Sequence, residues 1–137
     1  MPLTKDDDIR DLLTQVKTIA LVGASPKEDR PSYRVMGFLI DKGYEVTPVN
    51  PGRVGQQIHG RTVVATLAEA GPVDMVDIFR NSEAAGAVVD DAIAVGAKSV
   101  WMQLEVINDD AADRAEAAGL KVVMDRCPKI EIARLGL

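Results

Sequence analysis

The chain holds a single cysteine and a single histidine in 137 residues. One cysteine excludes an internal disulfide framework and suits a reducing compartment. Aromatic residues are scarce: one tryptophan, two tyrosines and two phenylalanines. None is interleaved with basic residues as a base-stacking surface requires. Basic residues are outnumbered 16 to 21, for a net charge of −5, which disfavours a nucleic-acid partner unless the cations cluster. No apolar run is long enough to cross a bilayer, and the first residues lack the charged-then-apolar pattern of an export signal. The expectations are a cytoplasmic location, with no membrane and no nucleic-acid partner. The length suits one domain, 1–137, around one core. The apolar share of 47% is ordinary for a globular protein.

What is present is organised around residues 18–33. Ile19 to Val22 form an apolar, partly β-branched run, the pattern of a strand buried on both faces of a parallel sheet. Gly23 then permits a sharp turn. Pro31 suits the first position of a helix, where a missing N–H costs nothing, and Gly43 supplies its stop. A helix N-terminus with unpaired N–H groups thus follows a strand, which is the arrangement that holds phosphates. A dinucleotide fingerprint would need glycines where Ser25 and Glu28 stand, and an acidic residue where Asn50 ends the second strand.

Elsewhere the pattern alternates. Thr4-Lys-Asp-Asp7 reads as a capping signal for a helix over about Lys5–Gln15, with Asp6, Asp7 and Asp8 complementing its dipole. Tyr44–Asn50 reads as the second strand, although Pro48 inside it removes a ladder donor and implies an edge or bulge. Residues 51–61 read as a long polar loop, with Thr62–Val64 extended and one helical turn over Thr66–Ala70. Asp74–Phe79, Ser99–Met102 and Lys121–Met124 read as further strands. Between them lie helices over Glu83–Val95, with Ser82 as N-cap, and from Asn108 to Ala118. Asp125-Arg-Cys-Pro128 leads into a short last helix. Such alternation predicts an α/β fold with a parallel sheet and helices on both faces. No internal repeat or linker interrupts it.

In such sheets the ligand sits outside the carboxyl ends of the strands. Those ends carry Ser25, Lys27 and Arg30, then Asn50 and Arg53, then Arg80, Gln103 and Arg126. Guanidinium groups grip phosphate bidentately, so a polyanionic small molecule is the natural partner. The plainer alternative is ordinary solvated or ion-paired arginine on loops, and the helix N-terminus beside these residues favours the ligand.

Five segments carry a resemblance: Val22-Gly-Ala-Ser25, Pro48-Val-Asn-Pro-Gly-Arg53, Asp77-Ile-Phe-Arg80, Val100-Trp-Met-Gln103 and Met124-Asp-Arg-Cys-Pro128. In this order they resemble the coenzyme A-binding domain found alone in small bacterial proteins. They are also similar to the N-terminal domain of the succinyl-CoA synthetase alpha subunit. The resemblance implies a Rossmann-like, five-stranded, mostly parallel sheet in the order 3-2-1-4-5, and coenzyme A or an acyl-CoA as ligand. It implies that Gly23, Ala24 and Ser25 line the phosphates. Asn50, Pro51 and Arg53 match the loop after the second strand, where the synthetase has a lysine in place of Arg53. Phe79, Arg80 and Asn81 flank the nucleotide, and Gln103 touches it at the fourth strand end. Arg30 and Ser32 join the set by position. The synthetase's phosphorylated histidine belongs to a second domain with no counterpart among these residues, so ligase activity, or any catalysis, is not expected, and no catalytic or metal-binding residue is assigned.

His59 lies in the loop after the second strand and has no sequence-placed acid or nucleophile beside it. Cys127 before Pro128 invites a thiol-based redox regulator, against the plainer reading of a packed small side chain. A small NAD(P)-binding oxidoreductase is the other alternative, with Arg53 facing a 2′-phosphate. Trp101 and Met102 read as core, and Asp74 and Asp77 show no metal spacing. A protein partner is conceivable, with nothing in the sequence to identify it.

Overall fold

A computed structural model describes residues 1–137. Seven strands and six helices follow in the order α1 (Asp6–Gln15), β1 (Thr18–Val22), α2 (Pro31–Asp41), β2 (Glu45–Val49), β3 (Gln57–Ile58), β4 (Arg61–Thr62), α3 (Leu67–Ala70), β5 (Met75–Ile78), α4 (Ser82–Ala94), β6 (Ser99–Met102), α5 (Asp109–Ala117), β7 (Lys121–Val123) and α6 (Pro128–Arg134). Five strands form one parallel sheet in the order β2-β1-β5-β6-β7. The α/β, Rossmann-like class expected from the sequence is the observed one.

Alternation along each strand divides the core. Ala20 and Val22 of β1, with Val76, Ile78, Val100 and Met102, pack against α3, α4 and α5. Ile19 and Leu21, with Met75, Trp101 and Val123, pack against α1, α2 and α6. Successive side chains of a strand point to opposite faces, so every core strand is apolar at nearly every position. The one ionisable side chain wholly buried in these strands is Asp77, which stands in register between Leu21 and Trp101.

Renumbered over the five sheet strands, the order is 2-1-3-4-5, which corrects one detail of 3-2-1-4-5. The third strand lies beside the first and not outside the second. Pro48 supplies the reason. Its carbonyl accepts a bond from Val64 N–H (3.1 Å) on the outer side of β2, so its missing donor also faces outward. A strand placed there would lose a ladder bond. Instead the short segment at Val64 closes that edge, bridging Val49. At the opposite edge Leu3 N–H donates to Val122 O (2.7 Å), so the N-terminal segment covers β7.

Three local expectations are also corrected. Lys5, not Thr4, is the N-cap of α1, and no side chain caps it; the chain enters the helix from Leu3, which is bonded to β7. Asn81 caps α4 by accepting from Ala84 N–H (2.8 Å). Ser82 falls one place inside the helix, and its hydroxyl accepts from Ile107 N–H (2.9 Å) in the loop after β6. The polar loop after β2 contains the β3–β4 hairpin. His59 (φ 48°) and Gly60 (φ 77°) form its two-residue turn, both in the left-handed region that such hairpins favour.

No helix is long and apolar enough to cross a membrane.

Candidate functional site

The carboxyl ends of β1, β2 and β5 converge on one cleft. Gly23 N–H donates to Val49 O (2.9 Å), and Phe79 N–H donates to Val22 O (2.8 Å), so the three strand ends are stitched together. Gly23 has φ 88°, and a Cβ built on it would lie 2.2 Å from the Phe79 carbonyl oxygen. Glycine is therefore required by the approach of two protein segments, before any ligand is considered.

Asn50 fixes the next loop. Its Nδ2 donates to Ala24 O (2.8 Å), and its Oδ1 accepts from Gly52 N–H (2.9 Å). The side chain that replaces an acidic ribose-binding residue thus braces two loops with both ends of its amide. His59 anchors the hairpin on the other side. Its ring lies 4.1 Å from that of Tyr33, and Nε2 donates to Tyr33 O (2.8 Å). A Cβ on Gly37 would meet the His59 ring at 2.8 Å, so the small residue in α2 makes room for it.

Between these braces lies a cavity of about 300 Å³, lined by Gly23, Ser25, Lys27, Arg30, Pro31, Ser32, Asn50, Arg53 and Phe79. Seven of the twelve expected site residues meet here. Lys27 and Pro31 join them, and Lys27 was legible as a cation following β1. Pro51 and Arg80 instead line a neighbouring, more apolar hollow of about 300 Å³ with Leu67, Ala84 and Val88. Ala24 is buried beneath the cleft and contributes its carbonyl to Asn50. Asn81 is engaged as the α4 cap. Gln103 ends β6 away from both cavities, 6% exposed, with no hydrogen-bond partner for its Oε1.

The electrostatics of the cleft set it apart. The α2 N-terminus opens into it through Arg30, Pro31 and Ser32. Each of the other five helices carries an acidic residue in its first turn; α2 carries none, and no side chain caps it. Its partial positive charge is left uncompensated. The chain's nine arginines divide the same way. Arg10, Arg61, Arg114, Arg126 and Arg134 pair with carboxylates. Arg30, Arg34, Arg53 and Arg80 do not, and three of these line the two cavities. Unpaired cations around an uncapped helix end are an arrangement that attracts anions.

Arg126, at the end of β7, stands outside the cleft. It donates to Glu131 (2.6 Å), which also receives Arg134 (3.1 Å), and Arg134 reaches Asp6 (2.8 Å). Burial opposes ionisation of Glu131, but the two arginines prevail and hold its carboxyl below the usual range. Cys127 is 6% exposed at the N-cap of α6. Trp101 is fully buried, its Nε1 donating to Arg126 O (2.7 Å). No group of three His, Cys, Asp or Glu side chains is placed to hold a metal ion. Asp77, which shows no metal spacing in the sequence, lies inside β5. It is wholly buried without a hydrogen-bond partner, and burial pushes its carboxyl well above the usual range.

The pattern of the CoA binding domain family matches residues 17–133. YneT of Bacillus subtilis (strain 168) is 36% identical over 124 residues, or 90% of each chain. Among solved structures, Prb, the PH1109 protein redesigned for binding, is 40% identical. It superposes with a TM-score of 0.93 over 98% of this chain and 94% of its own. A protein from Pyrococcus horikoshii OT3 is 38% identical, with a TM-score of 0.92 over 100% of this chain and 97% of its own. A dinucleotide-forming acetyl-coenzyme A synthetase of Ca. Korarchaeum cryptofilum shares the fold. Its TM-score is 0.66 over 77% of this chain and 25% of its own, at 22% identity.

Proposed function

This chain belongs to the CoA-binding domain family, and on that premise we propose that it is a single-unit coenzyme A or acyl-CoA binder that grips the ligand by its phosphates and has no catalytic apparatus of its own. The observation that carries the reading is the uncompensated α2 N-terminus ringed by Lys27, Arg30 and Arg53, none held by a carboxylate.

The residues present fit the group. Coenzyme A supplies a diphosphate and a 3′-phosphate, and with them most of the charge that such a cleft attracts. Arg30, Ser32 and the α2 backbone N–H groups would hold one anionic group, with Lys27 and Arg53 supplying further positive charge from the walls of the same cavity. Ser25 Oγ accepts from Lys27 N–H (3.2 Å), which sets the loop between them. Asn50 acts as a positioning residue, since both ends of its amide are already engaged. The hollow of Pro51, Leu67, Val88 and Arg80 suits the adenine, with the Arg80 guanidinium available to stack on it. Binding is reversible and needs no covalent step.

The test is calorimetric titration with CoA, NADP and ADP in parallel, repeated on Arg53→Ala. Selective CoA binding, weakened about tenfold or more by the substitution, is the expected result. Binding of NADP without CoA would favour an oxidoreductase instead. Silence from all three ligands would remove the reading altogether.

A further inference from the structure

Large aliphatic side chains left exposed are few, and their placement is not random. Away from the two chain ends they are Val54, Leu104, Ile107 and Ile130. Val54 lies in the loop after β2, Leu104 and Ile107 in the loop after β6, and Ile130 in the first turn of α6, just after β7. All four follow the carboxyl ends of sheet strands, on the edge that holds the phosphate cleft. Leu104 and Ile130 face a cavity of about 360 Å³ together with Met124 and Cys127. Met124 also borders an adjoining hollow with Ile107 and Leu3. The result is a strip of exposed aliphatic side chains at the β6–β7 end of the edge, rimmed by Asp125, Arg126 and Glu131, and exposed apolar surface with a polar rim marks a contact.

Its distance from the cleft identifies what it contacts. Three strand spacings separate β1 from β7 in the sheet, roughly 14 Å at the usual spacing between strands. The pantetheine arm of coenzyme A runs about a dozen bonds from diphosphate to sulfur, also roughly 14 Å at the rise of an extended chain. An extended arm held at Gly23 and laid across the ends of β5 and β6 would be long enough to reach the β7 end, where Cys127 and Met124 lie. On that path stands Gln103, nearly buried, its Oε1 without a partner in the protein. The arm carries two amide N–H groups, the donors that such an oxygen lacks.

We propose that the ligand is an acyl-CoA with an apolar acyl chain, and that the chain lies on the Leu104–Met124–Ile130 surface beyond the thioester. This rests on the CoA reading above and adds the class of acyl group. Free CoA would leave the surface open to water, whereas a chain of about eight carbons covers it.

The experiment compares CoA, acetyl-CoA and octanoyl-CoA by calorimetry on the full chain and on the double variant Leu104→Ser, Ile130→Ser. Both side chains are about half exposed, and a matching thermal melt checks the fold. Octanoyl-CoA should bind about tenfold or more tighter than CoA to the wild type, and the double variant should erase that preference. Equal affinities in the wild type would overturn the acyl surface and leave CoA binding standing. So would an octanoyl preference that survives the double substitution, because the chain would then lie elsewhere. Self-association lost in the double variant, with equal affinities, would assign the surface to a second copy of the chain. Failure of all three ligands to bind would take the CoA reading with it.

Discussion

A Cβ built on Gly23 would lie 2.2 Å from the carbonyl oxygen of Phe79. The loop that follows β1 and the loop that follows β5 therefore touch through a position that admits no side chain. Gly23→Ala forces a left-handed backbone on a residue that disfavours it and pushes the two strand ends apart. The expected cost is ~2 kcal/mol or more of stability, measured by urea denaturation. Coenzyme A affinity should fall with it, because the cleft is built from those same two loops.

Arg30 and Arg53 carry no ion pair, so removing them costs the fold little. Arg30→Ala and Arg53→Ala should each leave the denaturation midpoint nearly unchanged, within about 0.5 kcal/mol. Each should weaken CoA binding by about 1.5–3 kcal/mol, the range for hydrogen bonds to charged groups. The wild-type affinity should also fall as salt is raised, and fall less steeply in either variant.

Asp77 gives the pH dependence an unusual sign. Burial raises its carboxyl in the folded protein, while the unfolded chain ionises near the ordinary value of about 3.9. Above that value the folded state holds a proton that the unfolded state has lost. Its contribution to stability is therefore present at low pH and declines as pH rises toward the folded pKa. Asp77→Asn should stabilise the protein at neutral pH by on the order of 1–3 kcal/mol, and the gain should shrink toward pH 4. Thermal melts of both proteins across that range give the answer, and a constant difference would contradict it.

Glu131 works the other way. Burial opposes its charge, yet Arg134 and Arg126 lower its carboxyl overall, so its contribution is present above the unfolded value and lost as pH falls through the folded one. It ties α6 to α1 through Arg134 and Asp6. Glu131→Gln should cost about 1–2 kcal/mol at pH 7, discounted for the partly exposed arginines, and less at pH 3. Denaturation at the two pH values measures this.

His59→Ala should loosen the hairpin without abolishing binding. The Tyr33 stacking and hydrogen bond amount to about 1 kcal/mol together. Faster amide exchange at Ile58 and Val63 would report the loss, with a modest weakening of CoA because Arg53 sits at the base of the same hairpin.

Much of this architecture was legible in the chain, and particular residues show where legibility stops. Apolar runs at 19–22, 75–78 and 99–102 declare strands because both sheet faces are covered, leaving no polar alternation to confuse them. Pro48 went further: its missing donor argues for an edge, and the edge is where β2 lies. The order 3-2-1-4-5 came from a family resemblance and overlooked what Pro48 said. The His59-Gly60 turn was concealed because its strands are two residues each, too short for a period to emerge. Of the site, the cations following each strand were readable. The separation of free from paired arginines was not, since partners such as Asp6 for Arg134 lie 128 residues apart. Asp77 could be seen as an acid in an apolar strand, yet its isolation depends on neighbours from β1 and β6 that only the sheet brings together.

The two sheet margins have a consequence for handling the protein. β2 is closed by Val64 and disarmed by Pro48, and β7 is closed by Leu3. Neither margin offers a free ladder on which a neighbouring molecule could template itself. The β7 closure is the weaker of the two, because it makes one backbone bond to the strand, from Leu3 to Val122. Trimming the first four residues would bare a Val122–Val123 strand flanked by the aliphatic surface of Met124, Leu104 and Ile107. Intermolecular strand stacking, and with it precipitation on concentration or storage, is the expected price of that deletion.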